Sequence, residues 1–453
     1  MTTTFSLSRV PRVLRWATAI TIPFSLSAQS PLTLTLGEAA RLAAGKSAGP
    51  QVARLRQDQA EARVRQRRAE LLPSISGALS EGERSFNSAS FGITFPNPLT
   101  GRPAFDANGE VLGPVREWDV RGTVRQNLAD FSVFARIRAA RASAVAAGAV
   151  TSNASQQAAA TAALTYVRAL RAEAQIAALV ADSILAAELF GIARDQFSAG
   201  VGIGLDVTRA QSQLAAGRAQ LIAARNERDR ARLELHRALG LPLHATIVLT
   251  DSLMGLPTGN DVPGEEAATD RAMRSRADLR AAEQEIGAAE QQISAIKAER
   301  LPTLSAFADQ GATGKSPDHL LSTYTWGVRL SVPVFDGFRR EGRLDEQRFA
   351  MRELEAQRRD LAQQAAIEVR SALLDLASAR EQLSASDERL ALAGQELSQA
   401  RDRFQAGVAG NADVITASSG LNAARSQLVN ARASLQTARV TLARAQGIVT
   451  ELP

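Results

Sequence analysis

Two stretches of the chain, residues 131–199 and 338–406, each run for 69 positions without a proline. In the second, apolar residues recur at strict sevens: Val369, Leu376, Leu383, Leu390, Leu397 and Phe404. Three positions after the first five of these sit small residues, Ala372, Ala379, Ser386, Ala393 and Ala400. Past a short break, Val414, Leu421, Leu428, Leu435 and Leu442 take up the same spacing. Strict heptads impose a left-handed supercoil, and large side chains set against small ones let helices approach closely. At about 1.5 Å per residue, each long segment would reach roughly 100 Å as an unbroken helix. Taken alone, this is equally well an antiparallel coiled-coil hairpin with a scaffold role.

A second periodicity interrupts the first. Segments 74–85, 116–127, 303–313 and 322–333 alternate apolar and polar residues. Trp326, Val328, Leu330 and Val332 face one way, while Gly327, Arg329 and Ser331 face the other. Trp118, Val120, Gly122 and Val124 oppose Asp119, Arg121, Thr123 and Arg125 in the same manner. Such runs of about 10–12 residues fit a half-buried soluble hairpin or a membrane β-barrel strand. Polar stretches 86–115 and 314–321 between paired strands suit exposed loops. Four strands cannot close a barrel, and an open edge is forbidden in lipid, so a barrel reading requires several protomers to share one.

The chain is also a tandem duplication. ARDQFSAGV (193–201) returns as ARDRFQAGV (400–408), and the 48 positions from 193 and from 400 share 24 identities without a gap. AELLPSIS (69–76) returns as AERLPTLS (298–305), and residues 116–130 return at 323–336. The order is preserved, so residues 29–264 and 265–453 read as two repeats, each helix, β-hairpin (74–127 and 303–333), long helix, tip turn (200–206 and 407–413) and helix. Thr35-x-x-Glu38 is a capping box that starts the first helix, and Pro73 and Pro302 stop the opening helices.

Residues 1–28 combine Arg9, Arg12 and Arg15, an apolar run from Trp16 to Leu26, and small residues at Ser27-Ala28. This is the pattern of a cleaved secretory signal peptide, too short to span about 30 Å of hydrocarbon. Without those arginines the formal net charge of +6 becomes +3, with 50 basic against 47 acidic residues, so nucleic acid is not an implied partner. Even the apolar stretch 177–193 contains Asp182 and Glu188, which argues against helical membrane spans. The absence of cysteine excludes disulfide scaffolds, thiolate metal sites and an acylated anchor. Three scattered histidines make no metal motif, and neither a nucleophile elbow nor a cofactor loop is present, so the sequence implies no enzyme and no cofactor. The Gly-rich run at 200–204 follows a helix and lacks the Gly-Lys-Ser/Thr tail of a phosphate loop. With 86 alanines in 453 residues and 4% aromatics, the composition fits closely packed helices better than a thick core.

LTLGEAARLA (34–43), LLPSIS and RLPTLS, LSVPVFDG (330–337), the two FxAG-to-Asp-Val turns and the duplication together resemble the TolC-type outer-membrane efflux channels. The resemblance covers essentially the whole chain after the signal peptide. It implies a mainly α fold with a small β part: long coiled-coil helices forming a periplasmic α-barrel, and four antiparallel strands per protomer in a shared, trimeric, 12-stranded transmembrane barrel. The implied partners are two further copies, outer-membrane lipid, a periplasmic adaptor protein and an inner-membrane pump. The implied activity is passive, gated export of drugs, ions or proteins.

Gly200 and Gly407 suit positions just past a helix, and Asp206 and Asp413 suit N-caps. By the resemblance, Asp413 falls on an acidic constriction ring, and Asp206 and Arg432 fall on interhelical linking positions, one from each repeat. Other family positions differ here: Phe404 replaces a tyrosine, Ala409 an arginine and Thr416 the second ring aspartate. Arg121, Arg125 and Arg329 are expected either to line the barrel lumen or to pair with Asp119 and other acids. The alternative for the whole chain is a periplasmic coiled-coil adaptor or scaffold of a transport complex, although adaptors carry one helical hairpin and no such duplication.

Overall fold

The computed structural model describes residues 32–91, 99, 109–256, 264–406, 408 and 410–452. The expected signal peptide at 1–28, much of the loop 86–115, and Gly407 and Ala409 of the second tip turn lie outside them. The first repeat runs β1 (Leu32–Leu34), α1 (Leu36–Lys46), α2 (Ala48–Ala69), β2 (Ser74–Asn87), β3 (Val111–Asp130), α3 (Phe131–Ser198), α4 (Gly204–Leu239) and β4 (Ile247–Leu249). The second runs α5 (Glu265–Ser275), α6 (Ala277–Ala298), β5 (Thr303–Gly314), β6 (Leu321–Ser331), α7 (Arg339–Gln405) and α8 (Asn411–Ala445). The long helices thus form as expected, with 68 residues in α3 and 67 in α7.

α3 coils with α4, α7 coils with α8, and α3 also packs on α8. Nearer the strands, α2, α3, α6 and α7 lie side by side in that order. The heptads fill the seams. Val369, Leu376, Leu383 and Leu397 are buried, as are Ala372, Ala379, Ser386 and Ala393 between them. All five apolar heptad positions of α8, Val414 to Leu442, are buried as well. Among the described residues, α3 alone is long and apolar enough to cross a membrane by length and composition, which the sequence had not suggested. It packs along its length on α2, α4, α6 and α8.

The capping box is present: Thr35 Oγ1 accepts from the Glu38 amide at 3.3 Å, and Glu38 accepts from the Thr35 amide at 2.8 Å. The opening helix does not continue to Pro73 as one piece. It breaks at Ser47, whose backbone is extended at φ −70° and ψ 159°. The second repeat breaks likewise at Arg276. In each case a glycine ending the return helix presses on the break. Gly240 has φ +68°, and a Cβ there would lie 2.6 Å from the Lys46 carbonyl oxygen. Gly447 has φ +73°, and its Cβ would lie 2.9 Å from Arg276 Cα. The left-handed backbone and the close approach both require glycine.

β2, β3, β5 and β6 form one antiparallel sheet in that order, so β2 and β6 are its two edges. β1 pairs with β4 in a separate parallel pair beside α1. Gly240→Ala or Gly447→Ala should destabilise the fold by about 1–3 kcal/mol, because strain and clash add. The check is thermal unfolding of the detergent-solubilised protein, compared with Gly217→Ala, a helix position with open space around it.

Candidate functional site

The sheet has two unlike faces. Register places Ile75 beside Val124, Leu79 beside Val120, Ala308 beside both Val124 and Trp326, and Leu304 beside Leu330. This face is apolar yet uncovered: Ile75 is 79% exposed, Trp326 75% and Leu330 65%. Isolated apolar residues at a surface are ordinary, but a continuous apolar sheet face marks a contact surface for protein or membrane.

The opposite face carries the three arginines singled out in the sequence. Arg121 pairs with Asp119 on its own strand at 3.2 Å and with Asp309 on β5, and donates to Thr323 on β6 at 3.1 Å. It therefore ties three strands together. Arg329 lies over the Phe307 ring, 5.3 Å from its centre, and Arg125 sits directly beside Phe307 across the strands. Cation and ring quadrupole attract in this arrangement, so Arg329 is also held against the wall.

Below the sheet, one ion pair appears twice. Arg136 of α3 binds Glu70 at 2.9 Å, and Arg343 of α7 binds Glu299 at 2.7 Å. Glu70 and Glu299 occupy the same place in the repeated AELL/AERL motif. Each pair bolts an opening helix to a long helix where the chain changes from strand to helix.

Farther along α3, Asp182 is buried and accepts from Arg425 of α8 at 2.7 Å. With its amide nitrogen toward the acid, Asn422 donates to the same carboxylate at 2.7 Å. Arg401 of α7 reaches Glu188 at 3.3 Å, Gln175 donates to Ser426 at 2.9 Å, and Arg171 donates to Asn430 at 2.9 Å. These contacts form a polar seam between the coils of the two repeats. Sequence reading passed over it, since Asp182 stood out only as a charge in an apolar stretch. Its partner lies 243 residues away. Burial pushes the Asp182 carboxyl above its ordinary value, and Arg425 offsets only part of that rise.

At the first tip turn the Val201 and Gly202 amides donate to the Gln196 carbonyl, and Gly200 has φ +75°, as its position past the helix required. The second turn matches it, with the Val408 amide donating to the Arg403 carbonyl at 3.0 Å. The expected aspartate caps are not formed. Ile203 and Gly410 occupy the N-cap positions without a side-chain bond, and Asp206 and Asp413 sit in the first helical turn. There they still favour the positive end of the helix dipole. Asp206 lies 3.8 Å from Arg209. Arg432 is 21 residues beyond the start of α8, about 30 Å along the helix. It donates to the Met254 carbonyl at 3.1 Å and lies 3.9 Å from Asp387. Within one chain, Asp206 and Arg432 are therefore not brought together. Among the described residues, no group of three or more His, Asp or Glu side chains could hold a metal ion.

The profile of a family described as outer membrane efflux protein matches residues 50–241 and 268–448, well over half of the chain. The chain belongs to that family. It is 28% identical over 225 residues to the alkaline protease secretion protein AprF of Pseudomonas aeruginosa, a match covering 48% of this chain and 46% of AprF. The chain thus spans about half the length of the curated relative it matches. Two solved structures share its fold. The CmeC outer membrane channel of Campylobacter jejuni has a TM-score of 0.70 at 17% identity, covering 91% of this chain and 85% of that one. The open-state MtrE outer membrane channel of Neisseria gonorrhoeae has 0.71 at 17% identity, covering 91% and 89%. The TolC-type architecture expected from the sequence, mainly helical with an antiparallel sheet at one end, is the fold these outer membrane channels share.

Because burial raises the Asp182 carboxyl, the native state holds its proton more tightly than the unfolded chain. Its contribution is greatest below the unfolded value near 3.8 and is lost as pH rises through the folded one. Asp182→Asn removes that loss, so its melting temperature relative to wild type should climb between about pH 4 and pH 7. A relative melting temperature that falls over this range would mean that the Arg425 attraction dominates instead.

Proposed function

We propose that this protein is one protomer of an outer-membrane exit duct, completed by two further copies. It would conduct passively, with energy supplied by an inner-membrane pump joined through a periplasmic adaptor. The observation that carries the reading is the sheet: an exposed apolar face, a polar face lined with arginines, and two edges unpaired among the described residues, set above helices of 67 and 68 residues. In lipid, every backbone amide and carbonyl must find a protein partner, so such a sheet is tenable only if copies pair edge to edge and close. Each copy supplying four strands gives a trimer 12 strands. The long helices then continue the wall into the periplasm as a tube. Family membership supports a transport role and offers nothing toward catalysis.

The relatives leave the cargo open between small molecules and proteins. AprF is named for protease secretion, whereas the family is described by efflux. One duct design serves both, because the pump selects the cargo.

For the gate, Asp413 is assigned to an acidic ring at the closed tip, with Asp206 and Arg432 holding neighbouring helices. Like charges around a threefold axis repel, so a closed tip needs opposing contacts. Asp206 lies in the first turn of α4 beside the tip, and Arg432, about 30 Å along α8, ties that helix to the segment at Met254 and to α7. An adaptor would open the duct by replacing such contacts.

Membrane fractionation tests the main reading. A detergent-extracted trimer from the outer membrane is expected, and a soluble periplasmic monomer would overturn it in favour of an adaptor or scaffold. For the gate, Asp206→Ala combined with Arg432→Ala should raise single-channel conductance severalfold in a planar bilayer. Unchanged conductance would remove both residues from gating.

A further inference from the structure

A cleft of about 890 Å³ lies over α3 at the end nearest the sheet, with α2 and α6 on either side. Its strand-side wall is apolar and exposed: Leu72, Phe131, Phe134 and Leu301 are each between 45% and 65% accessible. Its far wall is cationic, formed by Arg65, Arg68, Arg138 and Arg141. No acidic residue lines it, and no ion pair joins any of the four arginines to an acid among the described residues.

The order of these groups along the helices is informative. Phe131 opens α3, and Arg138 and Arg141 follow about 10 and 15 Å farther from the sheet. Along α2 and the turn after it the order is mirrored, with Leu72 beside the sheet and Arg68 and Arg65 four and seven residues before it. The apolar sheet face leads into the cleft, since Leu330, Leu304 and Ala129 stand in one cross-strand row and Phe131 follows. Apolar contact next to the barrel, then positive charge about 10 Å deeper, matches the order of acyl chain and phosphate in one bilayer leaflet. The cleft also lies across the face of three side-by-side helices. A neighbouring copy that completes the ring beside the outer edges of α2 and α7 would leave it open.

The second repeat serves as an internal contrast. At the positions of Phe134 and Arg138 it has Glu341 and Asp345, which pair with Arg300 at 2.8 Å and Arg348 at 2.9 Å. There the charge is neutralised within the protein, and in the first repeat it is left available.

We infer that this cleft is a binding site for a glycerophospholipid of the periplasmic leaflet, with its phosphate held by Arg65, Arg68, Arg138 and Arg141 and its acyl chains against Leu72, Phe131 and Phe134. Guanidinium groups suit phosphate because they present parallel donors, and a net-anionic headgroup is preferred over a zwitterionic one. The site rests on the outer-membrane placement proposed above.

The test uses the full-length, detergent-extracted protein, titrated with phosphatidylglycerol and with phosphatidylcholine of the same chains, and counts retained lipids by native mass spectrometry. Wild type should retain phosphatidylglycerol about tenfold better. Arg65→Gln, Arg68→Gln, Arg138→Gln and Arg141→Gln together should bring that ratio close to one. Arg300→Gln with Arg348→Gln, which removes positive charge from the matched region of the second repeat, should leave it unchanged. A wild-type ratio near one, a ratio retained in the fourfold variant, or an equal loss in the control pair would each overturn the site. Outer-membrane fractionation of the same variants keeps the two ideas apart: a membrane trimer without lipid preference refutes only the cleft, and a soluble wild-type chain refutes the placement.

Discussion

Backbone hydrogen bonding at the edges of a four-stranded sheet governs this molecule. β2 and β6 each present one ladder with no partner among the described residues. Water could satisfy those groups around a soluble sheet, but one face here is apolar, with large side chains such as Trp326 and Ile75 turned outward. In hydrocarbon an unpaired ladder costs several kcal/mol per group, a cost that the proposed closure among copies would remove. The cross-strand tie of Arg121 to Asp309 and Thr323 stiffens the polar face of the sheet.

The helical part answers the same demand at a distance. A ring of strands continues into a tube only if the helices below lie side by side without gaps, and alanine at the heptad contacts makes that approach possible. Duplication supplies two such hairpins per chain and repeats their fastenings: Glu70–Arg136 and Glu299–Arg343 at the junction, Gly240 and Gly447 at the helix breaks. The repeats also differ. Asp182 and Arg425 join them along one seam, while the four arginines of the cationic cleft all come from the first.

Much of this was legible in the sequence because the signals are periodic. Val369 to Phe404 at sevens and Trp326 to Val332 at twos each report the face a residue presents, and proline-free runs report length. What could not be read depends on contacts between distant segments. The break at Ser47 is set by Gly240 pressing on the Lys46 carbonyl, and nothing near Ser47 announces it. Asp182 reads as an interruption until Arg425 is brought to it. Local propensity also misplaced the tip caps: Asp206 and Asp413 are good capping residues, but the turns are short enough that Ile203 and Gly410 take those positions. Arg432 matched a linking position in the family pattern, and the structure seats it against Met254 and Asp387, well away from the turn.

Edge closure can be measured directly, because the chain contains no cysteine and introduced thiols are the only ones present. One cysteine placed along Ser74–Glu83 of β2 and one along Leu321–Ser331 of β6, varied in register, should form disulfides between copies in the membrane. At the correct register, non-reducing gels should show dimers and trimers and stop at the trimer. No cross-link at any register, or a ladder extending beyond three copies, would contradict a closed barrel shared by three chains.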